Sequence, residues 1–475
     1  MSYEIDSRTA LRLGALGGAL AFGGAIGTAS ASASTPSIPR TRADAAPRTR
    51  ADAAADRIIA SVRRPRFPRR HFPVTDFGAV GDGTTKNTAA FAAAIRECSR
   101  SGGGHVIVPA GTFLTGAIHL LSRVDLRVED GATILFSQDP NDYLPAVFTR
   151  WQGIELMNYS PFIYSYGQRD IAVTGQGTLN GQADDSHWWN WKGKESPDFS
   201  ALETMADNNV PVSQRVFGAG HHLPPQMIQP FASDRVLLEG VTVINSPFWH
   251  LNPNLCRNVT VDGLTISSSG PNTDGCDPES CDGVVVRNVT YDTGDDCMAI
   301  KAGRDADGRR VNVPCQNVVI ENCSFANGHG GITIGSEMTG GVRNVYARDL
   351  TMNSANLAAG HRIKTNTLRG GFVVNTNVYR VTAGTVGGPL LKIEGQYNGQ
   401  TGDYPPEVTG ITLDNWTVSD CAGVWSIVGA SASDPVGTAT LENLTITTST
   451  APSAAQYISD LVVENVTVGG VPVTA

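Results

Sequence analysis

The 475-residue chain has no excess of positive charge, no paired Cys-x-x-Cys and no convincing helical periodicity beyond its first hundred residues. Its one signal-like apolar run is also short, and each of these absences excludes something. With 36 Lys and Arg against 45 Asp and Glu the net charge is −9, so the basic footprint of a nucleic-acid-binding protein is missing. The apolar, glycine-rich run from Leu13 to Ile26 falls short of the roughly 20 residues that a membrane helix needs. Eight cysteines without Cys-x-x-Cys spacing argue against cysteine-held zinc. What the short run does fit is export: Arg8 and Arg12 precede it and Ala29-Ser-Ala31-Ser-Ala33 follows it, the order of a cleavable signal. Residues 1–34 therefore read as an export signal, and the mature protein is expected outside the cytoplasm, secreted or periplasmic. In that setting disulfides are expected, with Cys276–Cys281 and Cys297–Cys315 as sequence-near options.

Residues 35–72 carry the tandem copies Pro39-Arg-Thr-Arg-Ala-Asp-Ala-Ala46 and Pro47-Arg-Thr-Arg-Ala-Asp-Ala-Ala54. Alanine, proline and arginine without periodic large apolar residues predict a disordered basic linker or pro-segment. Residues 73–475 then hold the fold. Within them one apolar template recurs five times. The copies are Val236-Leu-Leu-Glu-Gly-Val-Thr-Val243, Val259-Thr-Val-Asp-Gly-Leu-Thr-Ile266, Val284-Val-Val-Arg-Asn-Val-Thr-Tyr291, Val318-Val-Ile-Glu-Asn-Cys-Ser-Phe325 and Val345-Tyr-Ala-Arg-Asp-Leu-Thr-Met352. Apolar residues at positions one, three, six and eight describe two short strands joined at a corner. The copies start 23, 25, 34 and 27 residues apart, the loose period of a parallel β-helix.

Asn87–Ser99 is the one strong helix in this reading, with Phe91, Ala94, Ile95 and Cys98 on one face, and it is expected to cap the open end of the coil. The stretch from Asp184 to Ala219, with Trp188, Trp189 and Trp191, breaks the rhythm and reads as an excursion whose tryptophans either stack on sugars or pack on the coil. The Asn-x-Ser/Thr triplets at Asn258, Asn288, Asn322 and Asn465 fall at or beside a template corner, so asparagines bonded between coils explain them better than glycosylation.

The chemistry-bearing residues follow the template at fixed offsets. Asn272-Thr-Asp274 lies past Ile266; Asp295 of Gly294-Asp-Asp296 is four residues past Tyr291; His329 of Gly328-His-Gly330 is four past Phe325. Equal offsets put Asp295 and His329 at one phase of neighbouring coils, about 4.8 Å apart along the stack. Asp295 and Asp296 can serve one cleft only at a corner or bulge, which Gly294 permits. In Arg362-Ile-Lys364 the period of two puts both cations on the same side of a strand. Three carboxylates, a histidine and two cations on one face point to catalysis.

These four motifs, with Asp76-Phe-Gly-Ala-Val-Gly-Asp82 and Gly175-Gln-Gly-Thr-Leu-Asn-Gly181, resemble family 28 of the glycoside hydrolases, the polygalacturonases, from about Val74 to the C-terminal strands. The resemblance implies a right-handed parallel β-helix that hydrolyses α-1,4 links of polygalacturonate with inversion. It implies Asp295 as general acid, Asp274 and Asp296 holding and deprotonating the water, and His329 tuning the acid by hydrogen bonding. Arg362 and Lys364 would bind the substrate carboxylate, and Asn272 would take part in substrate binding. An inverting pair ordinarily stands about 6.5–9.5 Å apart to admit water. No cofactor or metal is called for, no nucleic acid or membrane partner is expected, and the chain is expected to act as a monomer. Ile334-Gly-Ser-Glu-Met-Thr-Gly-Gly341 and the insertions before Leu223 resemble family members that trim chain ends; Pro224-Pro225 stands where relatives often have Arg-Pro. An internally cleaving polygalacturonase, or a rhamnogalacturonan or xylogalacturonan hydrolase, is the nearest alternative. A pectate lyase using calcium, or a non-catalytic carbohydrate-binding coil, explains fewer of the motif residues.

Overall fold

In the computed structural model, which describes residues 49–475, the five template copies stack residue on residue. Val236, Val259, Val284, Val318 and Val345 form one parallel column. The eighth positions form another, Val243–Ile266–Tyr291–Phe325–Met352. Both columns run past the legible copies. The third-position column starts at Phe72, Val106, Leu126 and Val173, and it ends at Val378, Leu413, Leu441 and Val463. A third strand closes each coil and stacks Ile228, Leu251, Cys276, Met298, Ile332 and His361. The product is a parallel β-helix, right-handed like nearly all parallel crossover connections. Inward side chains of the three columns form one continuous core along its length.

The corner within the template has a specific backbone demand. Its fifth position takes the left-handed conformation in coil after coil: Gly240, Gly263, Asn288, Asn322, Asp349, Asn415, Asn443 and Asn465 all have φ between +52° and +80°. Gly, Asn and Asp enter that region at least cost. The asparagines also bond along the stack, as the triplets predicted. Asn288 Nδ2 donates to Asp262 Oδ1 at 2.8 Å, and Asn465 Nδ2 to Asn443 Oδ1 at 2.9 Å. A second corner column links Asn258 to Asp234, Asn317 to Asp282, and Asn375 through Asn344 to Asn317.

Four α-helices occur among the described residues, three more than the sequence announces: α1 (Arg50–Ser61), α2 (Thr88–Arg100), α3 (Ser196–Asp207) and α4 (Asp305–Val311). The cap is α2, and it buries Ala90, Phe91, Ala94, Ile95 and Cys98 against the first coils, with Phe91 alone contributing about 1.5–3 kcal/mol. At the other end the strand Ile458–Val468 pairs with Val436–Ser449 on one side, and on the other Val471–Pro472 folds back onto it antiparallel.

The disordered linker of the sequence reading is corrected where it is described. Residues 50–61 are helical: Thr49 and Asp52 form a reciprocal capping box, each backbone N–H bonded to the other side chain at 3.1 Å. Helix α1 lies on the outer face of the sheet over Val319, Tyr346 and Tyr379. Asp52, 5% exposed, receives Arg348 at 3.0 Å and Arg380 at 3.0 Å. The export segment and the first octapeptide copy lie outside the described residues.

The disulfide expectation is also corrected. All eight cysteines are free and buried. Cys256, Cys281 and Cys315 each stand three residues before a template valine and point into the core, their thiols donating to carbonyls of the neighbouring coil. The excursion settles on packing: Trp188 is 2% exposed against Tyr143 and Phe162, and Leu202 of α3 joins Trp151, Phe217, Phe248 and Trp249 in a second core.

Candidate active site

The stacked register delivers the acids to one place. Tyr291 and Phe325 pair in the column with rings 5.4 Å apart and nearly parallel, and four residues on, the His329 N–H donates to the Asp295 carbonyl at 3.0 Å. Between the strands Thr290–Thr293 and Met298–Ile300 the chain turns, so Asp295 and Asp296 both face the cleft. Gly294 is required there, because a Cβ would collide with the Gly270 carbonyl. Gly330 is required for a related reason: a Cβ would lie 2.6 Å from Asp296 Oδ1. Those two close approaches are why a histidine and an aspartate pair occur among glycines.

Oxygens of Asp274, Asp295 and Asp296 all lie within 4.8 Å of one another. Asp295 is the most open, with its side chain 24% exposed, whereas Asp274 and Asp296 are buried. His329 Nδ1 stands 3.3 Å from Asp295 Oδ1. Lys364 Nζ reaches Asp296 Oδ2 at 2.7 Å, and Arg362 Nε reaches Glu394 Oε2 at 2.7 Å. Ile363 between them points into the core, which confirms that both cations share a side. Asn272 stands at the edge, its Oδ1 accepting from Lys192 of the excursion at 2.9 Å.

One number departs from expectation. With one oxygen of each acid within 4.8 Å of the others, the cluster is close for a family whose inverting pair ordinarily stands about 6.5–9.5 Å apart. Asp295 and Asp296 are neighbours on one coil, and Asp274 stands on the coil before it, about 4.8 Å along the stack. Carboxyl separation therefore does not carry the stereochemistry here.

Electrostatics divide the acids. Burial pushes the Asp274 carboxyl well up, and the neighbouring charges of Asp277 and Asp295 push the same way. Burial would also raise Asp295, but the His329 hydrogen bond and the Lys364 charge outweigh it and hold Asp295 below its usual value. The hydrogen bond that His329 donates to Asp295 in turn raises His329 above the ordinary imidazole value. Asp274 is thus the carboxyl that favours its protonated form in the free protein, and Asp295 the one that favours its ionised form.

Sequence reasoning missed several residues at this site. Asp277 is buried beside Asp274 with both carboxyl oxygens lacking hydrogen-bond partners. Lys301, 3% exposed, sits 3.8 Å from Asp274 and 4.3 Å over the Trp249 ring. Tyr397 places its ring about 6 Å from both Arg362 and Lys364. A lysine closing the apolar run Met298-Ala-Ile300 was a usable signal; Tyr397 lies beyond any template register and gave none. Pro224 is buried, with its carbonyl accepting from Trp151 Nε1 at 3.0 Å.

A family model described as glycosyl hydrolases family 28 matches residues 98–466. The chain belongs to that family. Its sequence is 32% identical to a probable polygalacturonase of Vitis vinifera over 66% of this chain and 60% of that protein. It is 26% identical to an exo-poly-alpha-D-galacturonosidase of Dickeya chrysanthemi over 60% of this chain and 51% of that protein. The chain thus spans three fifths or less of the length of these two relatives. The crystal structure of a hyperthermoactive exopolygalacturonase from Thermotoga maritima superposes with a TM-score of 0.84 at 38% identity, covering 87% of this chain and 96% of that one. Among the described residues no helix is long and apolar enough to cross a membrane.

Proposed function

We propose that the protein is an exported glycosidase that cleaves α-1,4 links of polygalacturonate from a chain end, with inversion. The observation that carries the reading is the meeting of three carboxylates with Lys364 and Arg362 in one cleft. A neutral sugar would need the acids but not the cations; a polyuronate needs both. Asp295, the most open of the three acids, donates its proton to the leaving glycosidic oxygen. Asp274 and Asp296 hold the water, and its proton passes to them as its oxygen bonds to the anomeric carbon. In the free protein Asp295 is held ionised by His329 and Lys364. A uronate carboxylate bound at Arg362 and Lys364 offsets those cations and adds negative charge, which raises the Asp295 pKa and lets it carry a proton to the leaving oxygen.

Chain-end attack rests on the excursion. Trp189 packs on Gly270, its Nε1 bonding the Ser246 carbonyl at 2.9 Å, and Lys192 reaches Asn272. These contacts lie on the side of Asp274 away from Arg362 and Lys364, so the excursion stands at one end of the cleft. The test is a time course on polygalacturonic acid followed by chromatography and proton NMR. Galacturonate monomer from the first minutes, first seen as the β-anomer, supports the reading. A ladder of oligomers would mean internal cleavage, an initial α-anomer would mean retention, and unsaturated products would mean a lyase.

A further inference from the structure

Beneath the three acids lies a buried row of alternating charge that the hydrolysis as described does not use. Lys301 Nζ lies 3.8 Å from Asp274 Oδ2 and 3.0 Å from Glu337 Oε2. Glu337 Oε1 lies 3.3 Å from Arg304 Nη1, and Arg304 Nη2 lies 2.8 Å from Glu203 of α3. Lys301 and Glu337 are 3% and 5% exposed, so solvent screens neither. The ammonium also donates to the Gly335 carbonyl at 3.3 Å and sits over Trp249, contacts that fix its position. It touches no open part of the cleft.

We propose that Lys301, held by Glu337, is the positioning residue that biases Asp274 toward its ionised, water-activating form. The inference rests on the hydrolase reading above, with Asp274 among the water-holding groups. Asp274 is surrounded by Asp277, Asp295 and Asp296 on the acidic side, and Lys301 is the cation within 4 Å of it. The charges facing Lys301 are Glu337, Asp277, Asp274 and Asp296; those facing Glu337 are Lys301, Arg304, Arg369 and Lys364. A cation fixed beside Asp274 and out of reach of substrate favours its ionised form in every turnover. Glu337 partly offsets that cation, so the segment Ser336–Thr339 reaches the chemistry through Lys301.

The two partners give opposite signs. Removing the cation in Lys301→Met strengthens Asp274's hold on its proton, so the acid limb of the kcat–pH profile moves up by about one pH unit or more. Removing the offsetting anion in Glu337→Gln leaves Lys301 acting more strongly, so that limb moves down. KM for polygalacturonic acid stays within about twofold in both, and Lys301→Arg restores most of the wild-type limb. A loss of packing alone would lower kcat in both variants without moving the limb in opposite directions. If Lys301→Met fails to fold, the downward shift in Glu337→Gln stands as the test. An active wild type whose acid limb is unmoved in the folded variants, or moved the same way in both, overturns this inference alone. A wild type without activity on polygalacturonic acid overturns the hydrolase reading and this inference with it.

Discussion

The same coil carries buried aspartates on two of its faces, and they are treated in opposite ways. Under α1, Asp52 has both carboxyl oxygens engaged: Arg348 and Tyr379 donate to Oδ1, while Thr49 and Arg380 donate to Oδ2. In the cleft, Asp274 Oδ1, Asp296 Oδ1 and both oxygens of Asp277 lack hydrogen-bond partners. Leaving a buried carboxyl oxygen unpaired costs about 1–3 kcal/mol. Asp52 is saturated by its own protein, whereas Asp274 and Asp296 keep lone pairs for a water and a sugar. The helix face is therefore built for stability and the cleft face against it.

That contrast breaks most easily at the acid. Asp295→Asn should lower kcat on polygalacturonic acid by roughly 10³-fold or more, the scale of general acid catalysis, while the melting temperature stays level or rises. Near-wild-type turnover would end the assignment. On the other face, Asp52→Ala should remove about 3 kcal/mol of stability by stranding Arg348 and Arg380, with kcat per folded molecule unchanged in the same assay. Burial would raise the Asp52 carboxyl, but Arg380 and Thr49 hold it below its usual value, so its stabilisation is present above about pH 4 and is lost as pH falls. Urea melts of wild type and variant should converge on acidification.

His329→Ala probes the boundary between the two regimes, since His329 is an exposed group acting on a half-buried one. It should cost about tenfold in kcat, the worth of one hydrogen bond to a charged group. With the cation gone, Asp295 keeps its proton to higher pH, so the alkaline limb moves up. An alkaline limb that moves down would show that His329 itself supplies the proton.

Much of this was legible because the template acts as a ruler. Period two located the columns, and the offset of four located Asp295 and His329 together. The same ruler could have settled the cysteines: Cys256, Cys281 and Cys315 share one offset before Val259, Val284 and Val318, and that offset points inward, not at one another. Helix α1 stayed hidden for a physical reason. Its docked face is built from Ala51, Ala54 and Ala55 with Ile58 and Ile59, and its strongest anchor is an aspartate, so apolar periodicity hardly shows. Lys301 and Glu337 were hidden because charge pairing across 36 residues has no local signature.

The left-handed corners have a further consequence. Because the eight template positions pair residue for residue, the unequal steps of 23, 25, 34 and 27 residues cannot be absorbed inside the template. All surplus length must leave through the arcs between copies, and it is those arcs that bear Asp274, Asp295, His329 and α4. The spine is metrically rigid while its cleft can lengthen, shorten and change chemistry, so new specificities can be written into this molecule as insertions without renegotiating its core.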